Sequence, residues 1–491
     1  MKRILLRLFQ LILAILVLLI AAVAINTLRF QSRQIDVAPV PPLGLDENAA
    51  AARLAGSLRF KTISSDTDPE QNAEEFDKLH KYLETSFPKV HASLKREEVN
   101  GRSLLYTWEG TDSKAKPIML MAHQDVVPIA PGTEKNWLQQ PFDGSIKDGF
   151  VWGRGSWDDK GNLFSIMEAT EKLLSEGFKP RQTIYLAFGH DEEVSGLRGA
   201  KMIAALLQSR GVKLDYVLDE GLLVTEGILK GLDKPAALVG VAEKGYATVF
   251  LSLDAVPGHS SIPPQKTAIG MMSVALAKLE DQQFPAQIRG VALDMFETIA
   301  PEMSGLNRVL LSNLWLFKPL VQKELAKGAS TNAMLRTTTA LTMVHAGNKD
   351  NVLPGTIDAA VNFRLLPGDT QATVLEHVKQ TVANDAIKLK PYAANSDPSR
   401  VTPISGQAYQ TLARSIRETF PGTVVAPGLM LGATDSRHFE AISDNIFKFS
   451  PVRATSEDLP RFHGTNERIS IKNYAEMINF YHQLLLNSTK P

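Results

Sequence analysis

The sequence predicts an α/β protein: a mainly parallel sheet with helices on both faces, interrupted by an inserted α+β domain and led by a membrane-spanning helix. Three observations predict it. Between Leu104 and Leu218, short apolar strand-like runs alternate with helical runs, as in a parallel sheet with crossover helices. After Lys244 the order becomes strand, helix, two strands, helix, strand, a split sandwich of its own. Ahead of both, Leu8 to Ile25 is apolar except for Gln10, long enough to cross a bilayer.

Lys2, Arg3 and Arg7 precede that apolar run, so residues 4–25 are expected in the lipid bilayer with the N-terminus cytoplasmic. The body is then exported to a periplasmic, extracellular or lumenal side. Ala22-Val23-Ala24 also resembles a small-residue cleavage site, and cleavage there would make the protein secreted. Residues 1–28 are thus an anchor or signal segment. Residues 29–45 contain Pro39, Pro41 and Pro42 and read as an extended tether.

Residues 46–243 form the first part of the main domain. Helices are expected over 47–59, 73–86, 163–176 and 199–209, with strands at 104–106, 118–121, 183–188 and 216–218. Residues 244–399 form the insert, with strands at 248–255, 337–344, 357–365 and 387–389 and helices at 267–279 and 370–382. Inside it, 281–331 is a long excursion whose apolar stretch 310–317 reads first as core, and second as cover for an acyl chain or a contact with the bilayer. The main domain resumes over 400–491: helix 407–420, the loop around Gly432, strand 446–449, the loop with His463 and helix 471–486.

Formal net charge is zero and no long basic run occurs, which argues against a nucleic-acid partner. There is no cysteine, so disulfides, thiolate metal sites and a cysteine nucleophile are excluded. A metal would be held by His, Asp and Glu, a donor set that suits zinc, cobalt or manganese.

Candidate donors follow the strands. His123-Gln124-Asp125 ends one, Asp191-Glu192-Glu193 follows another, and Asp219-Glu220-Gly221 closes a third. In an open parallel sheet these ends line the ligand crevice. Gly153-Arg154-Gly155-Ser156-Trp157-Asp158-Asp159-Lys160-Gly161 places two aspartates before a helix, and His463 lies in a late loop. A carboxylate such as Asp158 can reach two cations because its oxygens diverge. One of Glu192 and Glu193 can bind metal while the other moves protons. Either Asp219 or Glu220 could ligate. Buried acids gathered without a cation would repel one another and lose solvation.

Together, His-x-Asp, Gly-Arg-Gly-x-x-Asp-Asp-Lys-Gly, Asp-Glu-Glu, Asp-Glu-Gly and the late His-Gly resemble the di-zinc metallopeptidase family of aminoacylases, carboxypeptidase S and glutamate carboxypeptidase. The likeness runs from about Glu47 to the C-terminus. It is strongest to the branch of carboxypeptidase S and the N-fatty-acyl-amino-acid hydrolase/synthase. Thr337-Thr338-Thr339-Ala340, Asn362-Phe363-Arg364, Thr434-Asp435-Ser436-Arg437 and the Trp315 excursion carry that closer likeness.

The resemblance implies a zinc-peptidase-like fold with an inserted lid and dimerisation domain, and two Zn2+ per chain, with Co2+ or Mn2+ as substitutes. Asp158 would bridge the metals, with His123 and Asp219 completing one site and Glu193 and His463 the other; some members use the position of Glu220 instead of Asp219. Glu192 would be the general base and Asp125 would orient His123. His259 would stabilise the oxyanion, and Asn351 and Arg364 would hold a free carboxylate, with Gly432 in a loop near the substrate. The Asp158–Asp159 peptide would be cis. The implied activity is hydrolysis of an amide next to a residue with a free carboxylate, on a small peptide or an N-acyl amino acid, and reversible as a synthase. The competing reading is a non-catalytic membrane-anchored ectodomain on a degenerate peptidase fold; the complete donor set argues against it.

Overall fold

The structure, a computed structural model, describes residues 1–489. It opens with α1 (Lys2–Arg29), an apolar helix with no fully buried residue. Among the described residues it is the one helix long and apolar enough to cross a membrane. Residues 30–46 have no regular secondary structure, yet they are pinned to the body. The Gln34 amide donates to the Val425 carbonyl and accepts from the Val425 N–H. The Val40 N–H donates to the Glu418 carbonyl. Ile35, Leu43 and Leu45 pack on the main core. The expected tether is therefore extended but docked.

The main domain begins with α2 (Glu47–Ser57) and α3 (Ala73–Ser86), then β1 (Lys95–Val99), β2 (Ser103–Trp108) and β3 (Ile118–His123). The Asp46 side chain caps α2 by accepting from the Ala49 N–H, one of the donors a helix start leaves unpaired. Next come α4 (Lys160–Ser175), β4 (Ile184–Gly189), α5 (Ala200–Ser209), β5 (Tyr216–Thr225) and β6 (Ala236–Glu243). The insert follows: β7 (Gly245–Asp254), β8 (Gly258–His259), α6 (Ala268–Asp281), α7 (Val291–Ile299), α8 (Gly305–Ser312), α9 (Leu314–Leu325), β9 (Thr338–Ala346), β10 (Val352–Leu353), β11 (Thr356–Leu365), α10 (Gln371–Val382) and β12 (Lys388–Pro391). The chain returns through α11 (Gln407–Thr419), β13 (Val424–Met430), β14 (Ile446–Ala454) and α12 (Ile471–Thr489).

Eight strands form the large sheet in the order β1-β2-β4-β3-β5-β14-β6-β13. It is mixed, a refinement of the mainly parallel expectation. β3 is parallel to β4 and β5, β14 to β5, and β13 to β6. β1 and β2 add an antiparallel edge. One face packs on α2, α4 and α12 and holds the main core. The other packs on α5, with Ala200, Ile203 and Leu207 against Met119, Met121 and Val217.

β6 and β13 were not expected from the sequence. Ala236-Ala237-Leu238-Val239-Gly240-Val241 is apolar on both faces and shows no alternation. β13 carries Pro427 and Gly428, which argue against a strand, but it is an outer strand with a ladder on one side only, where proline is tolerated. In the insert, the order β9-β11-β7-β12 is antiparallel throughout, with α6 and α10 covering a separate core. The excursion joins that core only at its start, through Phe284. Its residues Met295, Phe296, Ile299, Leu311 and Val321 pack on Ala236, Val424 and Ala426 of the large sheet.

Candidate metal centre

β3 and β4 run parallel and end side by side, at His123 and Gly189. That register brings His123 beside the Asp191-Glu192-Glu193 turn, and β5 brings Asp219 and Glu220 to the same edge. Asp158 arrives from the loop before α4 through a cis peptide to Asp159, and His463 from the loop before α12 with a positive φ of 56°.

The Asp158 oxygens diverge. Oδ1 lies 2.9 Å from His123 Nε2, and Oδ2 lies 2.7 Å from His463 Nε2. Glu220 Oε1 is 4.0 Å from His123 Nε2, and Glu193 Oε2 is 3.5 Å from His463 Nε2. Two groups of three donors result, His123–Asp158–Glu220 and Asp158–Glu193–His463, each with its ligand atoms within 4.8 Å of one another. The first group is buried throughout.

Of the adjacent pair on β5, the geometry groups Glu220, not Asp219, with the histidine. Neighbouring residues on a strand point to opposite faces, so both cannot face His123. The Asp219 oxygens are occupied elsewhere: Oδ2 accepts from the Ser436 N–H at 2.8 Å and Oδ1 from the Glu220 N–H at 3.0 Å. Asp219 thereby holds the Thr434–Ser436 turn against the site.

Asp125 sits behind His123, with Oδ1 3.3 Å from Nδ1. Its two oxygens also accept from the Glu192 and Glu193 N–H groups, and Oδ2 accepts from the Ser64 hydroxyl. It fixes the imidazole and the turn that carries both glutamates. The sequence reading left two residues without roles, Arg154 and Glu467. Glu467 is fully buried; Oε1 accepts from the Gly155, Trp157 and Asp158 N–H groups, and Oε2 pairs with Arg154. Arg154 donates on to the His463 and Gly464 carbonyls. One ion pair thus ties the Asp158 loop to the His463 loop, about 310 residues away in sequence. The arginine in Gly153-Arg154-Gly155 was the only available signal for it.

The electrostatics are those of a cation site. Burial raises Glu220 well above the ordinary carboxylate range, and the Asp158, Asp159 and Glu192 charges add to this. Burial likewise raises Glu192, helped by Asp435, Glu193 and Asp125. Burial would raise Asp158 too, but hydrogen bonds to His123 and His463 hold it low. Asp158 and Glu193 push the His463 imidazolium up to about 10. Glu193 Oε1 is buried with no hydrogen-bond partner. Each uncompensated buried charge costs several kcal/mol, so divalent cations in the two groups would satisfy the donors that the protein leaves uncompensated. The donor set therefore fits the expected metal pair.

The remaining expected residues lie apart. His259 is exposed on β8, where its Nδ1 accepts from the Ser261 N–H and hydroxyl. β8 pairs with β10, and the Ser260 N–H donates to the Asn351 carbonyl, so His259 and Asn351 share one ribbon. No hydrogen bond or ion pair joins either to the metal cluster among the described residues. Arg364 lies half-buried on β11 with its guanidinium 4.8 Å over the Tyr246 ring. Among the described residues it has no carboxylate partner, and burial together with Arg437 lowers its pKa. Arg437 follows the Gly432 loop and donates to the Ser195 carbonyl. His190 and His438 are structural, bonded to the Ser103 hydroxyl and the Ser195 carbonyl.

The family model described as Peptidase family M20/M25/M40 matches residues 119–487. A protein described as "probable carboxypeptidase S-like 2" from Dictyostelium discoideum is 40% identical over 491 residues, covering 98% of this chain and 93% of that one. The N-fatty-acyl-amino acid synthase/hydrolase PM20D1 of Xenopus tropicalis is 42% identical over 440 residues, covering 89% of this chain and 85% of that one. The crystal structure of the M20 family metallo-carboxypeptidase Sso-CP2 from Sulfolobus solfataricus superposes with a TM-score of 0.66 at 19% identity, covering 89% of this chain and 98% of that one, which shows the shared fold. With the donor set complete and the match spanning both parts of the main domain, the chain belongs to peptidase family M20/M25/M40 and is a metal-dependent hydrolase.

Proposed function

We propose that the chain is a membrane-anchored, exported hydrolase that uses two zinc ions to cleave an amide next to a residue with a free carboxylate. The observation that carries this reading is Asp158, whose oxygens each face a separate imidazole and carboxylate. His123, Asp158 and Glu220 would hold one ion and Asp158, Glu193 and His463 the other, with Glu220 replacing Asp219 in the expected set. When bound, such ions polarise a carbonyl and make a nearby water more acidic.

The chain's own residues supply the rest. Glu192 has a raised pKa and, among the described residues, no side-chain hydrogen-bond partner, as suits a group that takes a proton from water and passes it to the departing amine. Water adds to the carbonyl carbon, the C–N bond breaks, and carboxylate and amine leave; the reverse condensation releases water. Arg364 and Arg437, with the Gly432 loop between the two domains, would bind the free carboxylate, since guanidinium forms paired hydrogen bonds with it. Asn351 would add a polar contact and His259 would donate to the oxyanion once the ribbon closes over the site. The insert would be the lid, and β9, an outer strand with Met343 and Val344 exposed, would be where a second copy docks.

The test uses the full chain with zinc, dipeptides and N-acyl amino acids of increasing acyl length. Turnover of substrates with a free carboxylate but not of their amides is expected. Glu192→Gln should lower kcat about 10²–10⁴-fold while metal content stays the same. Equal turnover by the variant would remove Glu192 from the mechanism.

A further inference from the structure

The apolar stretch 310–317 is not simply core. Leu311, Ser312 and Asn313 are buried, but Trp315 is 60% exposed, with Leu306 at 70% and Leu320 at 56%. These residues lie on α8 and α9, and α1 is docked against them. A stripe along α1 (Leu19, Val23, Asn26, Thr27) continues to Phe30 and faces the body, while the rest of α1 is exposed.

The contact is specific. Asn313 is fully buried. Its Nδ2 donates to the Thr27 hydroxyl at 2.8 Å and the Val309 carbonyl at 2.8 Å. Its Oδ1 accepts from Asn26 Nδ2 at 3.1 Å and from the Trp315 indole N–H at 3.1 Å. A carboxamide has two donors and two acceptor positions, so all four are filled, two of them by α1. Asn26 also donates to the Ser312 carbonyl. Cleavage after Ala24 would remove Leu19 and Val23 from the stripe but leave Asn26 and Thr27 bonded to Asn313.

The joint also sets height. Residues 4–25 rise roughly 33 Å at ~1.5 Å per residue, about the thickness of a bilayer's hydrocarbon core. Asn26 and Thr27 therefore sit at its outer boundary, and so does the Asn313 turn bonded to them. Since residues 30–45 are pinned to the body, the body cannot swing away on a free linker. Trp315 has its N–H held and its ring outward, and Lys318 and Lys323 on α9 carry no ion pair among the described residues. Tryptophan and lysine are the residues that settle at the headgroup level.

We propose that α8 and α9 form a membrane-embedded platform, with the Trp315 ring in the outer-leaflet interface and the catalytic body held in one orientation on the bilayer. This rests on the proposed uncleaved anchor. It makes the bilayer surface the place from which an amphiphilic substrate would reach the enzyme.

The sequence provides a built-in probe. Of five tryptophans, Trp108, Trp137, Trp152 and Trp157 are buried and only Trp315 is exposed. The full chain is reconstituted in phosphatidylcholine vesicles whose acyl chains carry bromine near the glycerol end. Lipid-dependent quenching of roughly one-fifth of the emission is expected, one indole in five, and Trp315→Phe should abolish it while the protein stays on the vesicles, with thermal unfolding lowered by no more than the lost hydrogen bond to Asn313. Vesicle retention in alkaline carbonate is read in parallel. Retained protein with no quenching difference between wild type and Trp315→Phe overturns the platform and leaves the anchor standing. Protein released from the vesicles overturns both. A second variant, Leu320→Glu, should reduce the quenching of Trp315 without releasing the protein; undiminished quenching would also count against the platform.

Discussion

Asp158 lies buried with each carboxylate oxygen within 2.9 Å of a different imidazole, whereas His259 is exposed and bonds only to Ser261 in its own ribbon. The difference is one of construction. The metal cluster is assembled by sheet register and locked from behind by Asp125, Glu467 and Arg154, so its geometry is fixed when the chain folds. The β8–β10 ribbon has two residues in each strand and, among the described residues, shares no bond with the cluster. On the proposed roles, the groups that would handle metal and protons are preorganised, whereas His259 would reach the substrate's reacting oxygen only if the insert moved or another copy supplied it.

The largest effects should fall inside the cluster. Glu220→Gln is expected to lower bound metal from two ions to one and activity by roughly 10²-fold or more, since a metal supplies several kcal/mol of charge stabilisation. Asp219→Asn should keep both ions and instead lose about 1–3 kcal/mol of stability, the cost of weakening buried hydrogen bonds to a charged group. Metal analysis and thermal unfolding distinguish them. The opposite pattern would return the metal role to Asp219.

The ribbon should behave differently. His259→Ala is expected to lower kcat by about 10²–10³-fold, the usual loss of an oxyanion donor, with metal content unchanged and stability within about 0.5 kcal/mol, as for an exposed position. A large fall in stability or metal would place His259 within the preorganised centre and erase the contrast.

The smallest effect is in pH. In chelator-treated protein, the folded-state pKa of His463 is about 10, above its ordinary 6.5. A raised value means that the charged imidazole stabilises the folded chain fully below about pH 6.5, and that this contribution is lost as the pH rises through about 10. Melting temperature should therefore fall across that interval, and His463→Gln should flatten the slope. Metal-loaded protein should show the reverse trend at limiting metal, because the ligand must lose its proton to bind.

His123, Glu193 and the Asp219-Glu220 pair were legible because each follows an apolar run, and strand ends converge in a parallel sheet. Choosing between Asp219 and Glu220 was beyond the sequence, because side-chain alternation assigns them to opposite faces without saying which face holds His123. Glu467 was invisible: an acid three residues after His463-Gly464 looks like any surface glutamate until Gly155, Trp157 and Asp158 turn their N–H groups toward it. β13 was hidden by Pro427, which only its place at the sheet's edge permits. The excursion was assigned to the insert by position in the chain, yet its apolar faces pack on the large sheet.

The sequence by itself determined the donor types, the α/β alternation, the apolar N-terminal helix and the split insert, because these depend on local composition and on periods of two and 3.6 residues. Only the tertiary structure decided which of two adjacent carboxylates joins His123, which ion pair ties the Asp158 and His463 loops, and which faces of α1 and α9 stay exposed. Those outcomes depend on strand register and on contacts between residues hundreds of positions apart, and no local pattern encodes them.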